Sequence, residues 1–329
     1  MQSINDILEK FSGRLEAHRL APGDYCRYLW QTPGGSRQMG SNAYGCADAA
    51  NLLYTLGRFP GGESERAAFV AGIRKFQDPE TGYFLDPTHV DTHTTAHCIA
   101  ALELFEARPL HPLHALGKYR DVSRFITEME QADFLHCGKM AHFGAGLFAA
   151  LLLTGEVGEE WIRRYFAWMD ACCDPETGMW VRRPTRDFPV HIQMGDAFHF
   201  LFLYEHWHHA IPYPDRLIDS CLAMYRDGSL PPLFGRQFHF IEMDWVYCLS
   251  RASRSTPHRF YEVRETLAEF SDAYLSYLRG VDYETDEGAN DLHLLFGACC
   301  CLAELQAALP DRLPSAVPLR LVLDRRPFI

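Results

Sequence analysis

No stretch of this 329-residue chain stays apolar for long. The longest apolar run, Phe143 to Thr154, falls well short of the roughly 20 residues that cross a bilayer, so no membrane span is expected. Asp6, Glu9, Lys10 and Arg14 interrupt the first residues where a secretory leader needs an unbroken apolar segment, so export is not expected either. Basic charge is scarce. The 31 Lys and Arg residues face 43 Asp and Glu, a formal net charge of −12, which leaves no basic stripe for a general nucleic-acid partner. Eleven cysteines include no C-x-x-C pair, and most, such as Cys98, Cys248 and Cys299 to Cys301, lie inside apolar helical patterns. They read as buried free thiols of a reducing, cytoplasmic compartment, not as a disulfide framework or a structural zinc site. Strings of the G-x-S-x-G, H-E-x-x-H and P-loop types are missing too, and no period-two alternation runs long enough to build a sheet.

What is present is a repeat. The segment from Tyr44 (YGCADAANLLYTLG) aligns with those from His93 (HTTAHCIAALELFE) and His142 (HFGAGLFAALLLTG) at intervals of 49 residues. Weaker copies begin at Asp196, Trp245 and His293. Between them lie amphipathic helical patterns at about 4–18, 64–76, 119–132, 158–172, 213–227 and 259–278. A helix that is small and apolar all round must be buried, whereas one with a single apolar stripe meets water on its other side. The pattern therefore predicts an all-α fold, an (α/α)6 toroid of six helical hairpins. Inner helices starting near 43, 92, 141, 195, 242 and 291 would surround a central cavity, in a single domain over residues 1–329.

Two of the links from outer to inner helix share the string Asp-Pro-Glu-Thr-Gly, at Asp78 to Gly82 and Asp174 to Gly178. Proline stops the outer helix and glycine supplies the positive φ of the turn, so Gly82 and Gly178 are expected in that conformation. Gln77, this turn, the aromatics after it and Asp91-Thr92-His93-Thr94-Thr95-Ala96 together resemble the repeat of terpenoid cyclases and protein prenyltransferase β-subunits. These belong to the α/α-toroid proteins, which also include six-hairpin glycosidases. The resemblance is good over Phe76 to Phe105, partial over Cys172 to Trp207 and one of period elsewhere. It implies the fold strongly and the activity weakly. The cyclases' D-x-D-D acid motif is absent, and Asp170-Ala171-Cys172 matches the prenyltransferase zinc spacing only at the end of an outer helix. Neither chemistry carries over.

If Tyr44, His93, His142, Asp196, Trp245 and His293 share one level of the inner ring, residues four later share the next: Asp48, His97, Gly146, Phe200, Leu249 and Gly297. Asp48 stands mid-helix among small apolar residues, where a carboxylate needs a partner, and its register partner is His97. Asp91 and Asp291 read first as helix-start residues. Gly144-Ala145-Gly146 lies inside a helix and reads as close helix packing, not as a dinucleotide fingerprint. His206, His208 and His209 close a helix and complement its dipole.

These residues point to an enzyme acting on a small polar substrate, saccharide or uronic-acid-like, by carboxylate and histidine acid–base catalysis. Asp48, His93, Asp196 and Asp244 are the catalytic candidates. Tyr44, His97, His142, Trp180, Arg182, His199, Arg236, Trp245 and His293 are the substrate-binding ones. Hydrolase, lyase and epimerase chemistry all remain open, and neither cofactor nor metal is expected. The alternatives are a terpenoid cyclase or prenyltransferase-like enzyme without the usual motifs, and a non-catalytic binding protein for a small ligand. Oligomeric state is not legible.

Overall fold

The computed structural model describes residues 3–131, 139–180 and 188–329. The chain is all-helical, 60% helix by residue. The described residues hold thirteen α-helices, one 3-10 turn at His114–Arg120 and a single short antiparallel ribbon, β1 (Arg19–Ala21) with β2 (Asp24–Tyr25). The helices are α1 (Asn5–Ala17), α2 (Ala43–Thr55), α3 (Glu63–Arg74), α4 (Asp91–Leu104), α5 (Val122–Gln131), α6 (Lys139–Thr154) and α7 (Glu159–Cys172). They continue with α8 (Val190–Trp207), α9 (Pro214–Asp227), α10 (Phe240–Ser255), α11 (Phe260–Gly280), α12 (Leu292–Ala308) and the short α13 (Val322–Arg325).

Two chemical classes alternate along the chain. In α2, α4 and α12 nearly every residue is buried, whereas α1 buries only Ile7, Phe11, Arg14 and Leu15, and α5 only Val122, Phe125 and Met129. The buried class packs in sequence order, α2 on α4, α4 on α6, α6 on α8, α8 on α10 and α10 on α12, and α12 returns to α2. The amphipathic helices lie outside this cycle, with α3 against α2 and α4, α9 against α8 and α10, and α11 against α10 and α12. Acidic residues open α3 (Glu63, Glu65) and α9 (Asp215), and Arg74 and Arg226 close them, as the helix dipole favours.

Helix starts follow local chemistry. Asn42 caps α2 by accepting from Gly45 N at 3.0 Å, and Asp291 caps α12 by accepting from His293 N at 2.9 Å. Asp91 is an exposed first-turn residue of α4. α8 starts at Val190, five residues before the expected 195, because Pro189, in extended geometry with φ −53° and ψ 136°, sets the boundary. Gly146 sits where a Cβ would come within 2.7 Å of the Thr92 carbonyl oxygen, so this glycine lets α6 lie against α4.

Gly82 and Gly178 take φ of 81° and 72° in matching turns, each closed by a 2.8 Å bond from the glycine N–H to the Asp78 or Asp174 carbonyl. A Cβ on Gly82 would lie 2.1 Å from the Pro112 carbonyl oxygen. Gly82→Val is therefore expected to cost at least about 1 kcal/mol from backbone strain alone, with the clash in addition. Chemical denaturation of the variant checks this, and an unchanged midpoint would contradict it.

The sequence gives no periodic signal for the last segment. α13 packs on both α2 and α8, which occupy opposite places in the cycle. Around it Arg320 N bonds Thr55 O, Arg325 pairs with Glu103 and Asp324 with Arg251, all toward the C-terminal ends of buried helices. Arg326 and Phe328 are wholly buried and Ile329 nearly so. The segment thus closes the interior from the C-terminal ends of the helices. No helix among the described residues is long and apolar enough to cross a membrane.

Candidate functional site

The N-terminal ends of the buried helices surround a cavity of about 540 Å³. Its polar lining comprises His89, His93, His142, His191, Asp196, His199, His239, Asp244, His293 and Arg27. Ile192, Phe198, Phe240, Ile241, Leu294 and Ile329 supply apolar surface. A volume of this order suits a ligand of drug size, with few polar groups fixing its orientation.

Below one side of the lining stands a buried column on α2. Tyr44 is stacked between His89 and His97, at 4.4 and 4.8 Å between ring centroids, and its hydroxyl lies 2.6 Å from His93 Nδ1. One turn deeper, Asp48 is fully buried and accepts two hydrogen bonds, from His97 Nε2 at 2.8 Å and from His293 Nδ1 at 3.0 Å. Burial alone would push the Asp48 carboxyl up, but the two imidazoles outweigh it and hold the group well below the usual carboxylate range. His97 is pulled down to about 4, chiefly by burial against the raising effect of Asp48, so it is a neutral ring donating its Nε2 proton. With Nδ1 of His293 held by Asp48, Nε2 is the nitrogen of that ring left for the cavity.

Across α10 the electrostatics reverse. Burial, reinforced by Glu242 and Asp196, raises the Asp244 carboxyl well above its ordinary value, which favours its protonated form. Its Oδ1 is buried without a hydrogen-bond partner among the described residues. Glu242, pushed up to about 7 by burial, accepts from Gly235 N at 3.0 Å and Gln237 Nε2 at 3.2 Å, fastening the loop before α10.

On three successive helices, α4, α6 and α8, His93, His142 and His199 bring one ring nitrogen each within 4.8 Å of one another. His93 Nε2 and His199 Nε2 are 3.4 Å apart, and His199 donates Nδ1–H to the Gly195 carbonyl at 2.7 Å. Burial and the neighbouring imidazoles push His93 and His142 well below the usual histidine value, and burial pulls His199 to about 4.

Compared with protein-family models, with curated proteins and with solved structures, the chain matches none significantly. The site therefore rests on its own residues.

Of the candidates from sequence, His93, His142, Asp196, His199, Asp244 and His293 line the cavity, and Tyr44, Asp48 and His97 lie directly behind its wall. Three others are elsewhere. Trp180 is buried against Phe200 and Tyr204. Trp245 points outward, donating its indole N–H to Cys221 O at 2.9 Å and packing on Tyr225, Phe234 and Phe270. Arg236 is exposed on a loop outside the lining. Arg182 lies outside the described residues. The two-level map fails at the fifth copy because Asp244, one residue and about 100° of helical turn from Trp245, takes the inward position. Phe200 likewise faces Trp180, and Gly146 and Gly297 serve as close packing positions.

Sequence reasoning missed Arg27, His89, His191 and His239. Arg27 reaches the cavity from an irregular N-terminal segment and is held by a bidentate pair with Asp291, both bonds 2.9 Å, and by Thr88 at 2.7 Å. His89 precedes α4 in a turn, outside the helical repeat, and its stacking on Tyr44 left no linear signal. The Asp170 carboxylate, whose spacing imitates a zinc motif, accepts from Tyr204 and His209 outside the cavity.

Proposed function

We propose that the protein is an α/α-toroid enzyme, one domain over its 329 residues, that acts on a small saccharide-like substrate in this cavity by general acid–base catalysis. One observation carries the reading. A carboxyl group raised by burial, Asp244, and an imidazole whose Nδ1 is held by the lowered carboxyl of Asp48, His293, share the same cavity. Two carboxyls driven in opposite directions by their surroundings suit acid and base roles, Asp244 as the acid and Asp48 as the group that orients the base. Asp244 donates a proton to a departing or rearranging oxygen, and His293 Nε2 accepts one. His93, His142, His199 and Asp196 hold hydroxyl groups of the substrate. The closed cycle of buried helices supports the toroid, and the ten described cysteines, all buried free thiols, fit a cytoplasmic setting.

Arg27 is the only arginine or lysine among the described lining residues, and Asp291 already neutralises it. Among the described residues the lining thus offers groups for hydroxyls and no unpaired Arg or Lys. A thermal-shift screen of monosaccharides, disaccharides, uronic acids and isoprenoid diphosphates tests the proposal. A ligand at about 100 times its Kd adds about 2.7 kcal/mol of stability, so neutral sugars are expected to raise Tm. Asp244→Asn should then keep that shift and lose turnover. Stabilisation by isoprenoid diphosphates alone would overturn the reading.

A further inference from the structure

We propose that His93, His142 and His199 form a binding site for one divalent transition-metal ion of the zinc class, with its remaining coordination position open to the cavity. The proposal uses neither Asp244 nor His293 and is tested without a substrate; it replaces the direct contact of these three imidazoles with substrate hydroxyls by contact through the ion.

The first ground is distance. Imidazole nitrogens bind zinc at 2.0–2.1 Å, so two of them on a tetrahedral ion stand about 3.3 Å apart. His93 Nε2 and His199 Nε2 are separated by 3.4 Å, and the three ligand atoms all fall within 4.8 Å. The small movement that would complete the set falls to His142, which is half-buried at the cavity wall.

The second ground is orientation. Metal-binding imidazoles have their far nitrogen held by an outer partner, which fixes the ring and its tautomer. His199 gives its Nδ1 proton to the Gly195 carbonyl at 2.7 Å, so the Nε2 of this neutral ring carries a lone pair and faces His93. His93 Nδ1 is held at 2.6 Å by the Tyr44 hydroxyl, itself buried and fixed by stacking on His89 and His97. When the phenol oxygen accepts the Nδ1 proton, the His93 lone pair joins that of His199 at one point.

The third ground is the contrast with the neighbouring cluster of Asp48, His97 and His293, whose atoms are equally close. There each nitrogen facing the carboxylate donates a proton to it at 2.8–3.0 Å, so no lone pair remains for a cation. Among the described residues no carboxylate accepts such protons from His93, His142 or His199, so their facing nitrogens are open to a cation as well as to a shared proton or a hydroxyl. An all-imidazole donor set suits zinc, cobalt or nickel and not the oxygen-seeking magnesium or calcium. Three protein ligands with an open fourth position are the arrangement of catalytic sites, in which the ion holds water or a substrate oxygen. The lining position of all three histidines leaves that place facing the ligand space.

The test uses the whole chain, stripped with a chelator and titrated with Zn²⁺ alone by calorimetry, and with Co²⁺ followed by visible absorption. One equivalent should bind per chain, and Co²⁺ should give the intense bands of a tetrahedral site. His142→Ala and His199→Gln should each weaken binding by at least about 100-fold, beyond the 10–100-fold cost of removing an outer partner, and Tyr44→Phe should fall within that lower range. His239→Gln, at a lining histidine outside the cluster, should bind as the parent does. Circular dichroism establishes that each variant is folded, and if His142→Ala is not, His142→Asn replaces it. Absence of stoichiometric binding to the folded parent overturns the proposal. So does binding that survives loss of both His142 and His199, or that falls equally with His239→Gln. Failure of the sugar screen leaves these outcomes unaffected.

Discussion

Lowering the pH from 7 to 5 is expected to destabilise the protein, with unfolding accompanied by uptake of protons. His18, His97 and His199 are each pulled to about 4, mainly by burial, and His89, His93 and His142 are lowered as well. In the unfolded chain all six titrate near about 6.5. Between that pH and the depressed native values the unfolded state binds protons that the folded state refuses, so stability falls as pH falls, by up to about 1.4 kcal/mol per pH unit for each group. By pH 5 a ring held near 4, such as His18, His97 or His199, withdraws about 2 kcal/mol, a large share of the roughly 5–15 kcal/mol of an ordinary domain. Glu242, raised to about 7, and Asp244 take up protons in the folded state and offset part of the loss. Asp48, with its depressed pKa, stabilises the fold above the ordinary carboxylate range and loses that contribution only at still lower pH. Far-UV circular dichroism against pH, with Tm measured at each pH, reads the effect. A Tm that stays level from pH 7 to 5 would mean that these rings accept protons without cost.

The second large effect concerns Asp48. Replacing it with alanine leaves His97 Nε2 and His293 Nδ1 with no acceptor at a fully buried position, at about 1–3 kcal/mol for each unsatisfied donor. Asp48→Asn is expected to behave differently. The amide oxygen can still accept from His97, while the amide N–H₂ faces His293 Nδ1 and forces that ring to carry its proton on Nε2 instead. The base is then blocked, so turnover of a sugar found by the thermal-shift screen should be lost while its binding and the fold persist. Turnover within tenfold of the parent would show that Asp48 serves stability alone.

Much of this was written in the sequence wherever one helix face repeats. The interval of 49 residues pairs Tyr44 with His93 and Asp48 with His97, and both pairs are in hydrogen-bonding contact. The shared turn string fixed the conformation of Gly82 and Gly178. Legibility ends where position depends on helix rotation or on irregular chain. Trp245 aligns with Tyr44 in the repeat, yet a large indole finds more apolar contact among Tyr225, Phe234 and Phe270, and Asp244 turns inward in its place. Trp180 follows a turn aromatic pattern that fits a mouth as well as a core. Arg27 and His89 come from non-helical segments without period, and the closing segment from Val322 onward is too short to announce itself.

Phe328 and Ile329 fill the interior from the side of the helix C-termini, so among the described residues the chain's own last segment forms the floor of the cavity. If the proposed chemistry holds, such a floor favours a free small molecule or a terminal unit over the interior of a polymer as the group that reaches His293 and Asp244.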